Sequence, residues 1–145
     1  MRIVIQRVSS ASVSVEDKIV GQIGRGFLIL VGFSRDENPG AIDWMARKTT
    51  GLRIFEDEQD KMNLSLTDIA GEALVVSQFT LYADASKGRR PGFSDAADPK
   101  TAQPMYEEYC QKLQVAGVLV QKGIFGEHMT VSLVNDGPVT IIIDR

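Results

Sequence analysis

The chain of 145 residues contains one histidine and one cysteine. These two counts bound its side-chain chemistry. A Ser-His-Asp triad or a Cys-His pair needs a histidine to carry the proton, and His128 alone could serve. It stands between Gly126-Glu127 and Met129 at an expected loop-to-strand junction, where an exposed structural histidine is the simpler reading. Cys110 lies near Tyr106 and Leu113 at helical spacing and reads as a small core hydrophobe. One histidine and one cysteine cannot build a zinc site of the usual kind, so neither metal nor cofactor is expected. Gly21, Gly24 and Gly26 fall between two strand-like runs and not ahead of a helix, so a hairpin turn explains them better than a phosphate cradle. Glu56, Asp57, Glu58 and Asp60 read as a solvated acidic loop.

Two segments rise above this background. Ser77-Gln78-Phe79-Thr80-Leu81-Tyr82 follows the apolar pair Val75-Val76 and offers hydroxyls, an amide and a stacking face. Polar groups next to a buried strand are costly unless satisfied, so the segment is either a site or a strand end that bonds to itself. Asn135-Asp136-Gly137-Pro138-Val139-Thr140 carries a strong turn signal. It reads either as a plain turn or as bare Gly-Pro backbone that lets carbonyls and Cα atoms approach a ligand.

The elements that must position these segments are mostly strands. Residues 1–8 and 11–16 carry β-branched residues in partial alternation, with 19–23 after a polar turn. Residues 27–31 are apolar enough to be buried on both faces. A first helix is expected from Asn38 as cap with Pro39 in its first position, presenting Ile42, Met45, Ala46 and Thr49 on one face and stopping at Gly51. Short strands are expected at 52–55 and 73–80. Residues 83–98 form a long loop rich in Gly, Ser, Arg and Pro, a length usually reserved for function or disorder. Asp98-Pro99 opens a second helix that runs to about Ala116, with Pro104 placed to kink or delay it. Residues 118–122, 129–134 and 139–143 read as closing strands. The expectation is one domain over 1–145, an α/β fold whose mixed, largely antiparallel, barrel-like sheet has two main helices over one face.

Composition excludes several classes. Hydrophobic residues at 43% and charged residues at 24% describe an ordinary globular chain. A single cysteine allows no internal disulfide and fits a reducing compartment. Arg2, Gln6 and Arg7 break the N-terminal apolar run, and no run approaches the ~20 residues of a membrane span. A cytoplasmic location without membrane contact is expected. A net charge of -3 argues against gripping long nucleic acid by charge alone, but not against reading one RNA end with a local basic patch.

With these residues in view, the sequence resembles the D-aminoacyl-tRNA deacylase family. The family signatures Ser-Gln-x-Thr-Leu and Asn-x-Gly-Pro-x-Thr both stand here in full, at Ser77 to Leu81 and Asn135 to Thr140. The resemblance extends over Gln6-Arg7-Val8, Leu52 to Asp57, Lys61 to Ser65, Arg90-Pro91-Gly92-Phe93, Phe125-Gly126 and Met129, so nearly the whole chain is covered. It departs at Glu127-His128, where small or simple polar residues are usual.

The resemblance implies a homodimer with active sites at the subunit interface, acting on the 3′-terminal aminoacyl-adenosine of tRNA. Ser77, Gln78, Phe79 and Thr80 would line the pocket, with Gln78, Phe79 and Thr80 at the reaction centre. Gly137-Pro138 of the other subunit, in a cis peptide, would aim carbonyls into the site and crowd an L side chain while admitting D-aminoacyl and glycyl groups. Arg7 would brace that segment, and Phe125 and Met129 would pack around the adenine. Such an ester is activated and has a ribose hydroxyl beside it, which suits a chain poor in catalytic side chains. Lys87, Arg89 and Arg90 either contact acceptor-stem phosphates or form a solvated loop. Two alternatives remain. One is a non-catalytic dimeric nucleic-acid-binding module on the same fold; the other is an editing enzyme for mischarged L-amino acids.

Overall fold

The computed structural model describes residues 1–38 and 40–145. Its spine is β1 (Arg2–Val15), in which the two strands expected at 1–8 and 11–16 are one. They fuse because the ladder with the last strand resumes at Ser10, opposite Val134, after a register shift between Val8 and Ser10. The chain then returns antiparallel to β1 in two pieces. β2 (Lys18–Ile23) covers its second half, and β3 (Gly26–Gly32) its first half. Ala11 faces Ile23 and Val8 faces Gly26, so Gly24-Arg25 is a bend in one return arm and not the hairpin turn expected there.

The bend occurs where β6 (Glu72–Ser77) comes alongside in parallel, with Gly26 opposite Glu72. A Cβ at Gly26 would lie 1.9 Å from the Glu72 carbonyl oxygen, so only glycine fits. β7 (Leu119–Lys122) adds in parallel to β6. On the other edge of β1 runs β8 (Thr130–Asp144), antiparallel from Arg2↔Asp144 to Ser14↔Thr130. The strands expected at 129–134 and 139–143 are thus one strand, interrupted by an excursion. The sheet is mixed: antiparallel around β1, parallel from β3 to β7. It curls until β2 meets β7, where a Cβ on Gly21 would touch the Lys122 carbonyl oxygen at 2.9 Å. Those two strands do not pair, so the barrel is nearly but not fully closed.

The parallel connections carry the helices. α1 (Ala41–Thr50) joins β3 to β6, and α2 (Pro99–Val115) joins β6 to β7. α1 begins later than expected: its cap is Gly40 with φ 82°, and Asn38 contributes a backbone carbonyl to the Ala41 N–H at 3.0 Å. The reading of Pro39 lies outside the described residues. The expected face of Ile42, Met45, Ala46 and Thr49 is buried, and Gly51 ends the helix. α2 starts at Asp98-Pro99 as read, with the Asp98 carboxylate accepting from the Lys100 and Thr101 N–H groups. Pro104 neither delays nor ends it. The N–H that Pro104 lacks would have served the carbonyl of exposed Lys100, which water can satisfy.

Two apolar cores result. Ile3, Ile5, Phe27, Ile29 and Val31 face α1 and α2; Val8, Val13, Leu28, Leu74 and Val76 fill the inside of the curled sheet. β3 is therefore buried on both faces, as its composition predicts. The strand expected at 52–55 shrinks to β4 (Phe55–Glu56), which pairs with β5 (Met62–Leu64), a strand not anticipated. The Ile54 carbonyl is taken by an arginine side chain and not by a neighbouring strand. β6 stops at Ser77, short of Thr80, and residues Phe79–Tyr82 form a 3-10 turn.

Candidate active site

The end of β6 opens onto a cavity of about 710 Å³. Ser77 closes the β3–β6 ladder opposite Val31, and the Gln78 N–H donates to the Val31 carbonyl at 2.7 Å. A Cβ on Gly32 would sit 2.9 Å from the Gln78 carbonyl oxygen, so a glycine at the end of β3 lets the chain cross there. Past that crossing the backbone tightens into the 3-10 turn. The N–H groups of Phe79 and Thr80 head the turn, and among the described residues neither has a backbone acceptor. The Gln78 side-chain amide donates to Thr80 Oγ1. Phe79 is 56% exposed, with one edge against Phe93 at 5.1 Å between centroids and 64° between planes.

Phe125, Gly126, Glu127, His128 and Met129 make the opposite wall. The buried Tyr106 hydroxyl donates to the Val75 carbonyl at 2.9 Å, and the Gly123 N–H shares that carbonyl at 3.0 Å. The Phe125 ring lies 6.0 Å from the Tyr106 ring. A Cβ at Gly123 would meet Met129 Sδ at 2.6 Å, so the glycine makes room for the methionine. Asp98, Pro99 and Ala102, at the start of α2, complete the lining.

Among these groups Asp98 is engaged as a cap. The Thr101 hydroxyl and the Thr101 and Lys100 N–H groups hold its carboxyl below the usual range. Behind the wall, burial pushes the Cys110 thiol up to about 12, and Tyr106 is raised for the same reason. His128 is exposed, as read, but it lines the cavity mouth. Among the described residues, no group of three His, Cys, Asp or Glu side chains could hold a metal ion, and no helix is long and apolar enough to cross a membrane.

The structure brings together Ser77, Gln78, Phe79, Phe125 and Met129. It places Gly137 and Pro138 elsewhere, exposed at the tip of the excursion in β8, with a cis peptide between them. From Val131, which lines the cavity, to Asn135, where the excursion leaves the ladder, the strand rise amounts to roughly 13 Å. Arg7 lies beneath that excursion. Only 4% of its side chain is exposed, and Nη1 donates to the Ile54 carbonyl at 2.6 Å.

Lys87, Arg89 and Arg90 are exposed at the tip of a small hairpin. Reciprocal hydrogen bonds of 2.8 Å between Asp84 and Gly92 pinch its base. Phe93 follows directly, so the basic tip is tied to the aromatic wall. Phe93, Asp98 and Gly32 are site residues that side-chain reasoning did not assign. An aromatic following Gly92 in an otherwise polar loop was the one local signal.

A family model described as D-Tyr-tRNA(Tyr) deacylase matches residues 4–144. A D-aminoacyl-tRNA deacylase of Clostridioides difficile is 57% identical over 144 residues, covering 99% of this chain and 97% of its own. One from Thermotoga petrophila is 54% identical over 144 residues, with the same coverage of 99% and 97%. A solved structure of a c-Myc DNA unwinding element binding protein matches with a TM-score of 0.94 and 38% identity, covering 100% of this chain and 99% of that one. With the match running through both signature segments and nearly the full chain, this protein belongs to the D-Tyr-tRNA(Tyr) deacylase family.

Proposed function

We propose that the chain hydrolyses the ester of D-aminoacyl-tRNA, and of glycyl-tRNA, while sparing L-aminoacyl-tRNA. The observation that carries this reading is the division of the signature segments. The pocket at the end of β6 contains Ser77, Gln78 and Phe79, whereas Gly137-Pro138 projects into solvent away from it. A second copy of the chain completes the site by inserting its excursion into this pocket. Backbone carbonyls of that segment hold the substrate amino group and occupy the space an L side chain would need. Glycine has no side chain to reject.

The terminal adenosine packs between Phe125 and Met129, with Phe79 as a further stacking face. Water attacks the ester carbonyl, and the N–H groups of Phe79 and Thr80 receive the developing oxyanion. The ribose 2′-hydroxyl assists the proton transfer. Thr80 is the weaker candidate for a nucleophile. Its oxygen accepts a hydrogen bond from Gln78, which draws electron density away from attack, and among the described residues no base is hydrogen-bonded to it. Lys87, Arg89 and Arg90 contact acceptor-stem phosphates from the pinned hairpin.

Single-turnover deacylation of D-, L- and glycyl-tRNA tests the reading. Cleavage of the D and glycyl esters with L spared is expected. Equal cleavage of D and L removes the enantiomer filter and favours L-editing. A second reading, a dimeric nucleic-acid-binding module, draws on the name of the DNA-element-binding structural relative; it gains if nothing is cleaved while RNA is bound.

A further inference from the structure

Opposite Val8 on β1 stands Asn135, and opposite Gln6 stands Thr140, so residues 136–139 bulge out of β8 against Arg7 alone. An excursion of this kind leaves strand carbonyls without ladder partners at its neck. Here one side chain takes both. Asn135 Nδ2 donates to the Arg7 carbonyl at 2.9 Å and to the Val139 carbonyl at 3.0 Å. The first bond ties the excursion to β1, and the second ties its two ends together. A primary amide carries two hydrogens on one nitrogen, so the two bonds are made without rearrangement.

We infer that Asn135 is a positioning residue for the Gly137-Pro138 segment, setting how rigidly it is presented and so how strictly the site separates D from L substrates. This rests on the reading that the segment filters enantiomers. An enantiomer filter works by exclusion, and exclusion degrades when the excluding atoms can move by an ångström. Arg7 acts on the same excursion from below, through the Asp136 carbonyl and carboxylate. Asn135 acts at the neck, and no charge is needed for it.

The test uses the full-length chain, with Asn135→Asp and Asn135→Ser beside wild type. D- and L-tyrosyl-tRNA are hydrolysed in single turnover, and amide exchange at Gly137 and Val139 is followed in parallel. The aspartate keeps the shape and removes both donors when ionised. The expected result is a D-to-L rate ratio lowered about tenfold or more, with exchange at 137 and 139 quickened and exchange in β3 unchanged. A folded variant with wild-type ratio and wild-type exchange overturns the proposal. So does global unfolding of both variants, since the role assigned is local. If wild type itself fails to separate D from L, the functional reading falls, and the exchange measurement still decides the role of Asn135.

Discussion

Arg7 Nε lies 3.1 Å from the Asp136 carboxylate and donates to the Asp136 carbonyl at 3.3 Å, while Nη1 of the same guanidinium reaches Ile54. One planar fork thus joins the β8 excursion to the segment ahead of β4. A lysine has the charge but cannot serve acceptors in three directions from a fixed plane. Arg7→Lys is expected to cost about 1–3 kcal/mol of stability, the cost of leaving the buried Ile54 carbonyl unserved. Urea denaturation monitored by tryptophan fluorescence checks this.

The shared-site reading makes a mixing prediction. Gly137→Ala places a Cβ 2.8 Å from Val139 Cγ2 at φ 117°, which disturbs the excursion. Gln78→Ala damages the pocket instead. Each variant alone should lose most D-aminoacyl-tRNA hydrolysis. Co-refolded one to one, half the dimers pair the two variants and hold one undamaged site, so about a quarter of wild-type activity should return. No recovery on mixing argues that each chain uses its own excursion.

The edge-to-face contact between Phe79 and Phe93 couples the pocket to the basic hairpin. Removing the ring in Phe93→Ala deletes a contact of about 1 kcal/mol and frees the hairpin. The KM for D-aminoacyl-tRNA should rise about fivefold with kcat little changed. A fall in kcat at constant KM would place Phe93 at the chemical step instead.

Asp57, Asp68 and Asp98 each accept local hydrogen bonds that hold their carboxyls below the usual range. Their folded-state values lie beneath the unfolded ones, so the stabilisation is complete above about pH 4 and is lost as pH falls through the lowered values. Thermal midpoints should be flat from neutral pH down to about pH 5 and decline gradually below about pH 4.

Burial pushes the Cys110 thiol up to about 12, so the reactive thiolate is scarce at pH 8. Iodoacetamide should leave the native chain unmodified over hours and label it within minutes in guanidinium. Rapid native labelling would mean that α2 opens locally.

Much of this was legible from residue type because local chemistry decided it. Asp98-Pro99 capped α2, and the unbroken apolar run of β3 was buried on both faces. The failures lie where distant partners decide. Asn38 looked like a cap, yet α1 starts at Ala41 behind a left-handed Gly40. Gly24-Arg25-Gly26 looked like a hairpin, yet β1 pairs on both sides of it and β6 sets the bend. Residues 73–80 look uniformly strand-like, but β3 runs out at Gly32 and leaves the chain past Ser77 without a ladder. Both signature segments were readable, and the first of them lines the cavity. The contributions of Gly32 and the start of α2 depend on backbone approach across the fold, which has no local signature.

The pairing of β1 with β8 joins Arg2 to Asp144, so the earliest made of these strands must wait for the latest made to gain its lengthwise neighbour. At about 5–20 residues per second, synthesis of the intervening chain takes roughly 7–30 s, long beside the microseconds to seconds in which small domains fold. During that interval the β1 edge that β8 will cover is open to pairing with other nascent chains, and the excursion carrying Gly137-Pro138 is made only towards its close. Aggregation during translation, more than unfolding of the finished protein, is then the stage at which a holdase chaperone would change the yield.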